Sequence, residues 1–188
     1  MSAAERGGAA PSLKPLSADL APAVLAFELA NRDYFAAAVS DRGDEYFARF
    51  TDRYTALLAE QAAGVCAFYL LVDGTGTVLG RFNLYDLADG TAEVGYRVAE
   101  HASGRGVATA AVRELCDLAS DRHALHTLRA ATAHENIASQ RVLLKAGFVR
   151  TGPAGPADLG GKSGSWYQLD LSHRPATGRL TIPSAEGG

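Results

Sequence analysis

Apolar residues recur at helical spacing in two early segments of the chain. The first runs from Leu20 to Phe27, and Ser17 can cap it. The second runs from about Asp44 to Ala62 and carries apolar side chains three and four residues apart, namely Phe47, Phe50, Tyr54, Leu57 and Leu58. We predict two helices, and the stripe of the second faces either the core or a substrate pocket.

Three strand-like runs follow these helices. They are Val65–Asp73, Thr77–Leu87 and Thr91–Val98, and the Asp-Gly sequences between them are typical of tight turns. The pattern predicts an antiparallel meander.

The second half of the chain alternates between helical and strand patterns. It predicts a helix from Val107 to about Ser120, a strand over Thr127–Ala133, a helix from Asn136 to Lys145 that Gly147 can cap, and strands at Phe148–Thr151 and Ser165–Leu171. The third meander strand, the first of these helices and the next strand form a β-α-β unit, so those two strands should be parallel with a right-handed crossover. The expected fold is therefore α/β (α+β), a mixed and mostly antiparallel sheet with flanking helices.

Composition fits one folded domain. The chain has 188 residues, of which 47% are hydrophobic and 21% charged, and no internal repeat divides it. We expect a domain over residues 11–174 and flexible tails at 1–10 and 175–188. Cys66 and Cys116 lie in apolar patterns, which favours two buried thiols over a disulfide.

Charge and hydropathy exclude several function classes. The formal net charge of −3 offers no electrostatic case for nucleic-acid binding. The first residues lack a signal-peptide profile, and the longest apolar run, Val65 to Val72, is too short to span a bilayer. We expect a cytoplasmic protein without membrane or nucleic-acid partners.

A strand that leads through a glycine turn into a helix is the candidate binding feature. Gly104 and Gly106 let the main chain approach a ligand closely, and the first-turn amides of the next helix lie at the positive end of its dipole. The turn therefore suits an anion such as phosphate. An ordinary strand-to-helix turn is the alternative.

Two sequence blocks resemble the GNAT superfamily of acyl-CoA-dependent N-acyltransferases. His101-Ala102-Ser103-Gly104-Arg105-Gly106 is similar to the family's acyl-CoA motif, which has Gln or Arg, two variable residues, Gly, one variable residue, and Gly or Ala. The block from Asn136 to Phe148 resembles the branch that includes ribosomal-protein alanine N-acetyltransferases. The resemblance covers nearly the whole folded span and implies a GNAT-like sheet whose parallel strands splay apart.

The resemblance implies acetyl-CoA as the donor and an amine as the acceptor, in a reaction that uses no metal. The acceptor is either a protein N-terminus or a small molecule, and the amine attacks the thioester directly in a ternary complex. An acyl-CoA-binding sensor or assembly module without turnover is the alternative, and a homodimer is an open possibility. His123 and His126 have a metal-like spacing, but no matching ligand block accompanies them.

The same resemblance assigns the donor site. The CoA pyrophosphate lies against the glycine turn, and a backbone N–H near Val98 polarises the thioester carbonyl. The cofactor-binding residues that it implies are Val98, Ser103, Gly104, Arg105, Gly106, Val107, Ala108, Thr109, Asn136 and Ser139.

Two positions depart from the family pattern. His101 replaces the usual Gln or Arg and either donates to phosphate or faces solvent. Leu143 replaces the tyrosine that often protonates the leaving thiolate, and the resemblance points instead to Ser139 as the hydroxyl near the sulfur. Asn136 caps its helix, binds the pantetheine arm, or does both.

The general base is the least constrained assignment. Glu93, on the strand that leads into the thioester site, is the first choice, and Glu135, His134 or a water-mediated proton exit are alternatives. Tyr96 and Tyr167 either line the acceptor site or pack in the core.

Overall fold

A seven-stranded mixed sheet organises the computed structural model, which describes residues 10–172. Its strands are β1 (Ser12–Pro15), β2 (Ala67–Val72), β3 (Val78–Ala88), β4 (Thr91–Val98), β5 (Thr127–Ala133), β6 (Val149–Ala154) and β7 (Gly164–Asp170). They lie in the order β1-β2-β3-β4-β5-β7-β6, and each neighbouring pair is antiparallel except β4 and β5. The predicted fold class is confirmed.

Six helices accompany the sheet in the part of the chain that the structure describes. They are α1 (Ala21–Ala30), α2 (Arg32–Ala36), α3 (Asp44–Ala48), α4 (Phe50–Ala62), α5 (Val107–His123) and α6 (Ile137–Ala146), with 3₁₀ turns at Ala18–Leu20 and Glu100–Ala102. The predicted apolar face of α5 is confirmed, because Ala111 and Leu115 are buried and Val107 and Leu118 pack against the core.

Strand β2 divides the core into two layers. Phe68 and Leu70 pack with residues of α1, α3 and α4, whereas Tyr69 and Leu71 pack with the cluster that includes α5. Because helices cover both faces, every residue of β2 is buried, which explains its continuous apolar run. The aromatic stripe of the second predicted helix belongs mainly to this core, and both cysteines are buried and free, as predicted.

Several local predictions are wrong in detail. The first helix begins at Ala21 behind the 3₁₀ turn, and Ser17 makes no side-chain cap hydrogen bond. The second predicted helix is divided at Arg49, whose φ of −108° and ψ of 23° are not helical. Strand β1 and helix α2 were not predicted, because four- and five-residue elements carry too few positions to show a period.

The predicted tails fall outside the described residues apart from Ala10, so the domain boundaries stay a prediction. Among residues 10–172, no helix combines the length and the apolar character that crossing a bilayer requires.

A buried carboxylate joins α1 to the sheet. Glu28 is 1% exposed, and its carboxylate accepts hydrogen bonds from Arg81 at 2.6 Å, Arg42 at 3.2 Å and Arg97 at 3.3 Å. Burial alone would raise the pKa of Glu28, but the guanidiniums of Arg42, Arg81 and Arg97 more than offset that effect and hold the pKa below its usual value. Glu28 is therefore ionised in the folded protein at neutral pH.

Glu28→Gln should destabilise the fold by about 3 kcal/mol at pH 7, because it leaves three cations around a neutral amide. Since folding lowers the pKa of Glu28, its stabilising effect is complete above the pKa of about 4.3 in the unfolded chain and is lost as the pH falls through the folded value. Urea unfolding of both proteins from pH 7 to pH 3 measures the difference, which should shrink only below about pH 4. Glu45→Gln, at an exposed pair with Arg49, should cost under about 0.5 kcal/mol at any pH; an equal loss in both variants would contradict the assignment.

Candidate active site

Strands β4 and β5 separate in the middle of the sheet. They pair in parallel at three positions, Thr91 with Thr127, Ala92 with Leu128, and Glu93 with Arg129. Beyond these positions β4 continues along β3 to Val98, and β5 continues along β7 to Ala133. The parallel strands thus splay apart, as expected.

A cavity of about 390 Å³ opens where the strands separate. A volume of this size is within the range of small-molecule sites. The walls come from β4, β5, α6, the segment after α2 and the loop before β7, and they include Val94, Gly95, Tyr96, Ala130, Ala131, Thr132, Ala133, Asn136, Ser139, Leu143, Ser40, Asp158 and Lys162.

The start of α6 presents a hydroxyl to this cavity. Asn136 is the N-cap residue, and its Oδ1 accepts a hydrogen bond from the backbone N–H of Ser139 at 3.1 Å. The cap holds the first turn in place, and Ser139 itself lines the cavity. The predicted capping by Asn136 and Gly147 is confirmed.

Tyr96 contacts the same hydroxyl from the opposite wall. Its OH lies 3.0 Å from Ser139 Oγ, and its ring stacks on Phe82 with 5.6 Å between centroids. Burial raises the pKa of Tyr96 to about 12, although the hydrogen bond with Ser139 lowers it somewhat. Tyr96 therefore stays protonated and available as a donor at neutral pH. Leu143, which stands where many members of the family have a tyrosine, is buried and forms an apolar part of the cavity wall.

The sequence did not reveal the contact between Tyr96 and Ser139. Tyr96 lines the cavity and also packs against the core, whereas its role toward an acceptor stays a prediction. Tyr167, by contrast, is 3% exposed and belongs to the core.

The glycine turn has the backbone of an anion site. Gly104 and Gly106 adopt φ of 76° and 77°, and a Cβ at either position would meet no atom within 4 Å. Gly106 is the N-cap of α5, and the first helical hydrogen bond runs from the Ala110 amide to the Gly106 carbonyl. The amides of Val107, Ala108 and Thr109 therefore have no acceptor within the helix.

The other predicted donor-site residues surround this turn. Ser103 Oγ donates to the Ala99 carbonyl at 3.1 Å and lies 2.9 Å from the hydroxyl of Tyr34. Val98 ends β4, and the side chains of Arg105 and His101 are exposed.

Glu93 is half-buried at the last position where β4 pairs with β5, and the next residue, Val94, belongs to the cavity wall. Burial raises its pKa, and the nearby carboxylates of Asp86 and Asp158 raise it further against the opposing effect of Arg129. The alternative bases have other polar partners, one of which, Lys162, belongs to the cavity wall. Glu135 is exposed and ion-paired with Lys162, and His134 Nε2 lies 3.3 Å from Ser165 Oγ.

His123 and His126 form no metal-binding group. The ring of His123 hydrogen-bonds Tyr69, and that of His126 lies 3.0 Å from the Thr127 hydroxyl. Within residues 10–172, no three His, Cys, Asp or Glu side chains are grouped to hold a metal ion.

Solved structures share this architecture. The ribosomal-protein-S5-alanine acetyltransferase from Vibrio fischeri superposes with a TM-score of 0.78 at 20% identity, over 87% of this chain and 94% of that one. RimJ of Mycobacterium smegmatis in complex with CoA-disulfide superposes with a TM-score of 0.75 at 22% identity, over 87% of this chain and 86% of that one. Spermidine N-acetyltransferase from Vibrio cholerae, in complex with CoA and spermine, superposes with a TM-score of 0.73 at 17% identity, over 86% of this chain and 96% of that one.

Sequence comparison identifies the family as well as the fold. The probable N-acetyltransferase YjcK of Bacillus subtilis (strain 168) is 29% identical over 151 residues, which are 76% of this chain and 82% of that protein. The family model for the acetyltransferase (GNAT) domain matches residues 12–149. Because that match covers most of the chain, the protein belongs to the acetyltransferase (GNAT) family and is an acetyl-CoA-dependent acetyltransferase.

Proposed function

We propose that this enzyme transfers the acetyl group of acetyl-CoA to a primary amine, which attacks the thioester directly in a ternary complex. The observation that carries the proposal is the cavity between β4 and β5, whose wall contains the hydroxyls of Ser139 and Tyr96. The acceptor is a protein N-terminus or a small-molecule amine. Both types have support, because the names of structurally similar proteins include ribosomal-protein and spermidine acetyltransferases.

The donor lies with its pyrophosphate on the glycine turn. The turn from Ser103 to Thr109 binds the phosphate oxygens, chiefly through the amides of Val107, Ala108 and Thr109, and Arg105 adds a cation. The pantetheine amides pair with the open strand edges as a peptide would augment a sheet, with Asn136 nearby. A backbone N–H near Val98 stabilises the oxyanion, and such a donor is worth about 3–4 kcal/mol of barrier.

The reaction breaks the C–S bond and forms a C–N bond. Glu93 accepts the proton that the attacking amine loses, directly or through water, and its raised pKa brings it closer to the range of an effective base. The thiolate that leaves is stabilised by a hydrogen bond from Ser139. The Tyr96 OH lies 3.0 Å from Ser139 Oγ, where either hydroxyl can be the donor. In this mechanism Tyr96 donates, which turns the Ser139 proton toward the sulfur. Because burial raises the pKa of Tyr96 to about 12, the pair donates hydrogen bonds rather than surrendering a proton.

Isothermal calorimetry should show acetyl-CoA binding, and an amine panel that includes N-terminal peptides, polyamines and amino acids should release free CoA thiol with at least one class. Absence of acetyl-CoA binding would remove the donor assignment. Tight binding without thiol release across the whole panel would instead support an acyl-CoA sensor or assembly module.

Ser139→Ala should lower kcat by roughly a hundredfold and Tyr96→Phe by roughly tenfold, with little change in acetyl-CoA affinity. The serine variant keeps the helix cap, because Asn136 binds the backbone N–H of residue 139. Tyr54→Phe is the matched control, since it removes a buried hydroxyl that donates to the Ser17 carbonyl far from the cavity. Steady-state kinetics measure all three, and an unchanged kcat in Ser139→Ala would remove its role.

Gly104→Val should weaken acetyl-CoA binding by roughly tenfold or more, because a β-branched residue resists a φ of 76° and its side chain would fill the space in front of the amides. Gly76→Val is the control. Gly76 has a φ of 88° and equally open surroundings, but it lies in the β2–β3 turn. Calorimetric affinities that fall equally in both variants would place the pyrophosphate elsewhere.

A further inference from the structure

We propose that the acceptor carries a carboxylate in addition to its reactive amine, and that Arg97 and Arg42 bind this carboxylate. The inference rests on the proposed function and concerns the acceptor half of the same site.

The alternation of β4 puts the relevant groups on one face. Ala92 and Val94 point into the core, so Glu93, Gly95 and Arg97 share the opposite face. Gly95 lines the cavity. It lies two residues, or about 6.6 Å of strand, from Glu93 on one side and the same distance from Arg97 on the other. The strand therefore carries a carboxylate and a guanidinium on one face, and the ring of Tyr85 packs over Gly95 between them. This arrangement suits a zwitterion that spans the ring with its amine toward Glu93 and its carboxylate toward Arg97.

Three arginines surround Glu28 and share its single negative charge. One carboxylate accepts from three guanidiniums, so this inner group carries an excess of positive charge. The neighbouring Arg32 pairs with both Asp41 and Asp44, so this second group carries one net negative charge and lowers the excess without cancelling it. Glu28 alone cannot neutralise its three partners.

Two of the three arginines remain accessible. The side chains of Arg42 and Arg97 are 27% and 21% exposed, against 5% for Arg81. In the part of the chain that the structure describes, no guanidinium nitrogen is both buried and without a hydrogen-bond partner, because Asn83 Oδ1 is the one side-chain atom in that state. Burial and repulsion from Arg42 lower the pKa of Arg97 despite Glu28, and a second anion would offset this repulsion.

The arginines adjoin the main cavity. Arg42 and Arg97 line a small cleft together with Ser40, and Ser40 also lines the cavity between β4 and β5. The cleft holds about 10 Å³, which is the space of a single water molecule. A carboxylate therefore meets the guanidinium edges at the mouth of the cleft while the amine occupies the cavity.

The test uses acceptor pairs that differ mainly in charge. The first pair is Ala-Glu-amide and Ala-Gln-amide, and the second is 5-aminopentanoate and pentylamine. In the wild-type enzyme, kcat/KM should be about ten- to a hundredfold higher for the acidic member of at least one pair, which is the effect of a charged hydrogen-bonded contact. Arg97→Gln and Arg42→Gln should each reduce that preference at least severalfold, mainly through KM, and Arg97→Lys should restore part of it.

Several controls separate recognition from folding. Acetyl-CoA affinity should be retained in both arginine variants, because Glu28 keeps two guanidiniums in each. Arg49→Gln, at an exposed cation paired with Glu45, should not alter the preference. Glu93→Gln should slow both members of a pair alike, because it acts on the amine.

Three results would overturn the inference. The first is equal kcat/KM for the acidic and neutral members in the wild type, or no turnover of either pair. The second is a loss in Arg97→Gln and Arg42→Gln that is the same for acidic and neutral acceptors. The third is an equal change of preference in Arg49→Gln. A protein that fails to bind acetyl-CoA in calorimetry disproves the proposed function itself, which is a separate outcome.

Discussion

The candidate site depends on one backbone constraint, the separation of β4 from β5 after three paired positions. Each strand keeps its other neighbour, so the sheet remains continuous while two edges come to face one another across the cavity. Backbone N–H and C=O groups inside a protein require hydrogen-bond partners, and water or a ligand must supply them here. A ligand with its own amides, such as the pantetheine arm, meets this requirement better than a purely apolar one.

The sequence predicted the parts of this arrangement that depend on neighbouring residues. The period of α5, the cap at Asn136 and the turn at Gly104 and Gly106 are local, and the structure has them where they were expected. The contacts on which the proposed catalysis and acceptor binding depend join residues that are far apart in the sequence. Tyr96 and Ser139 are 43 residues apart, and Arg97 and Glu28 are 69 apart, so no spacing rule brings them together. Only the topology of the sheet and the packing of α1 and α6 do so.

With the proposed binding of an acceptor carboxylate, the cluster around Glu28 combines stability and specificity. Its carboxylate joins α1 to β3 and β4, through Arg81 and Arg97. Sharing one anion among three cations stabilises the fold less than three separate pairs would, because the guanidiniums repel each other. In the proposed acceptor site, this repulsion is relieved when the substrate arrives. The free enzyme thus retains an unfavourable interaction whose release contributes to binding.

The cap of α6 separates two tasks that one residue often performs. Asn136 fixes the helix through the backbone N–H of Ser139, which any residue other than proline provides. The cap of the helix therefore does not depend on the side chain at position 139, whose hydroxyl contacts Tyr96 instead. If Ser139 acts as proposed, evolution or a protein engineer can replace that hydroxyl by a thiol or a small apolar group and change the chemistry at the sulfur while the start of the helix stays where it is.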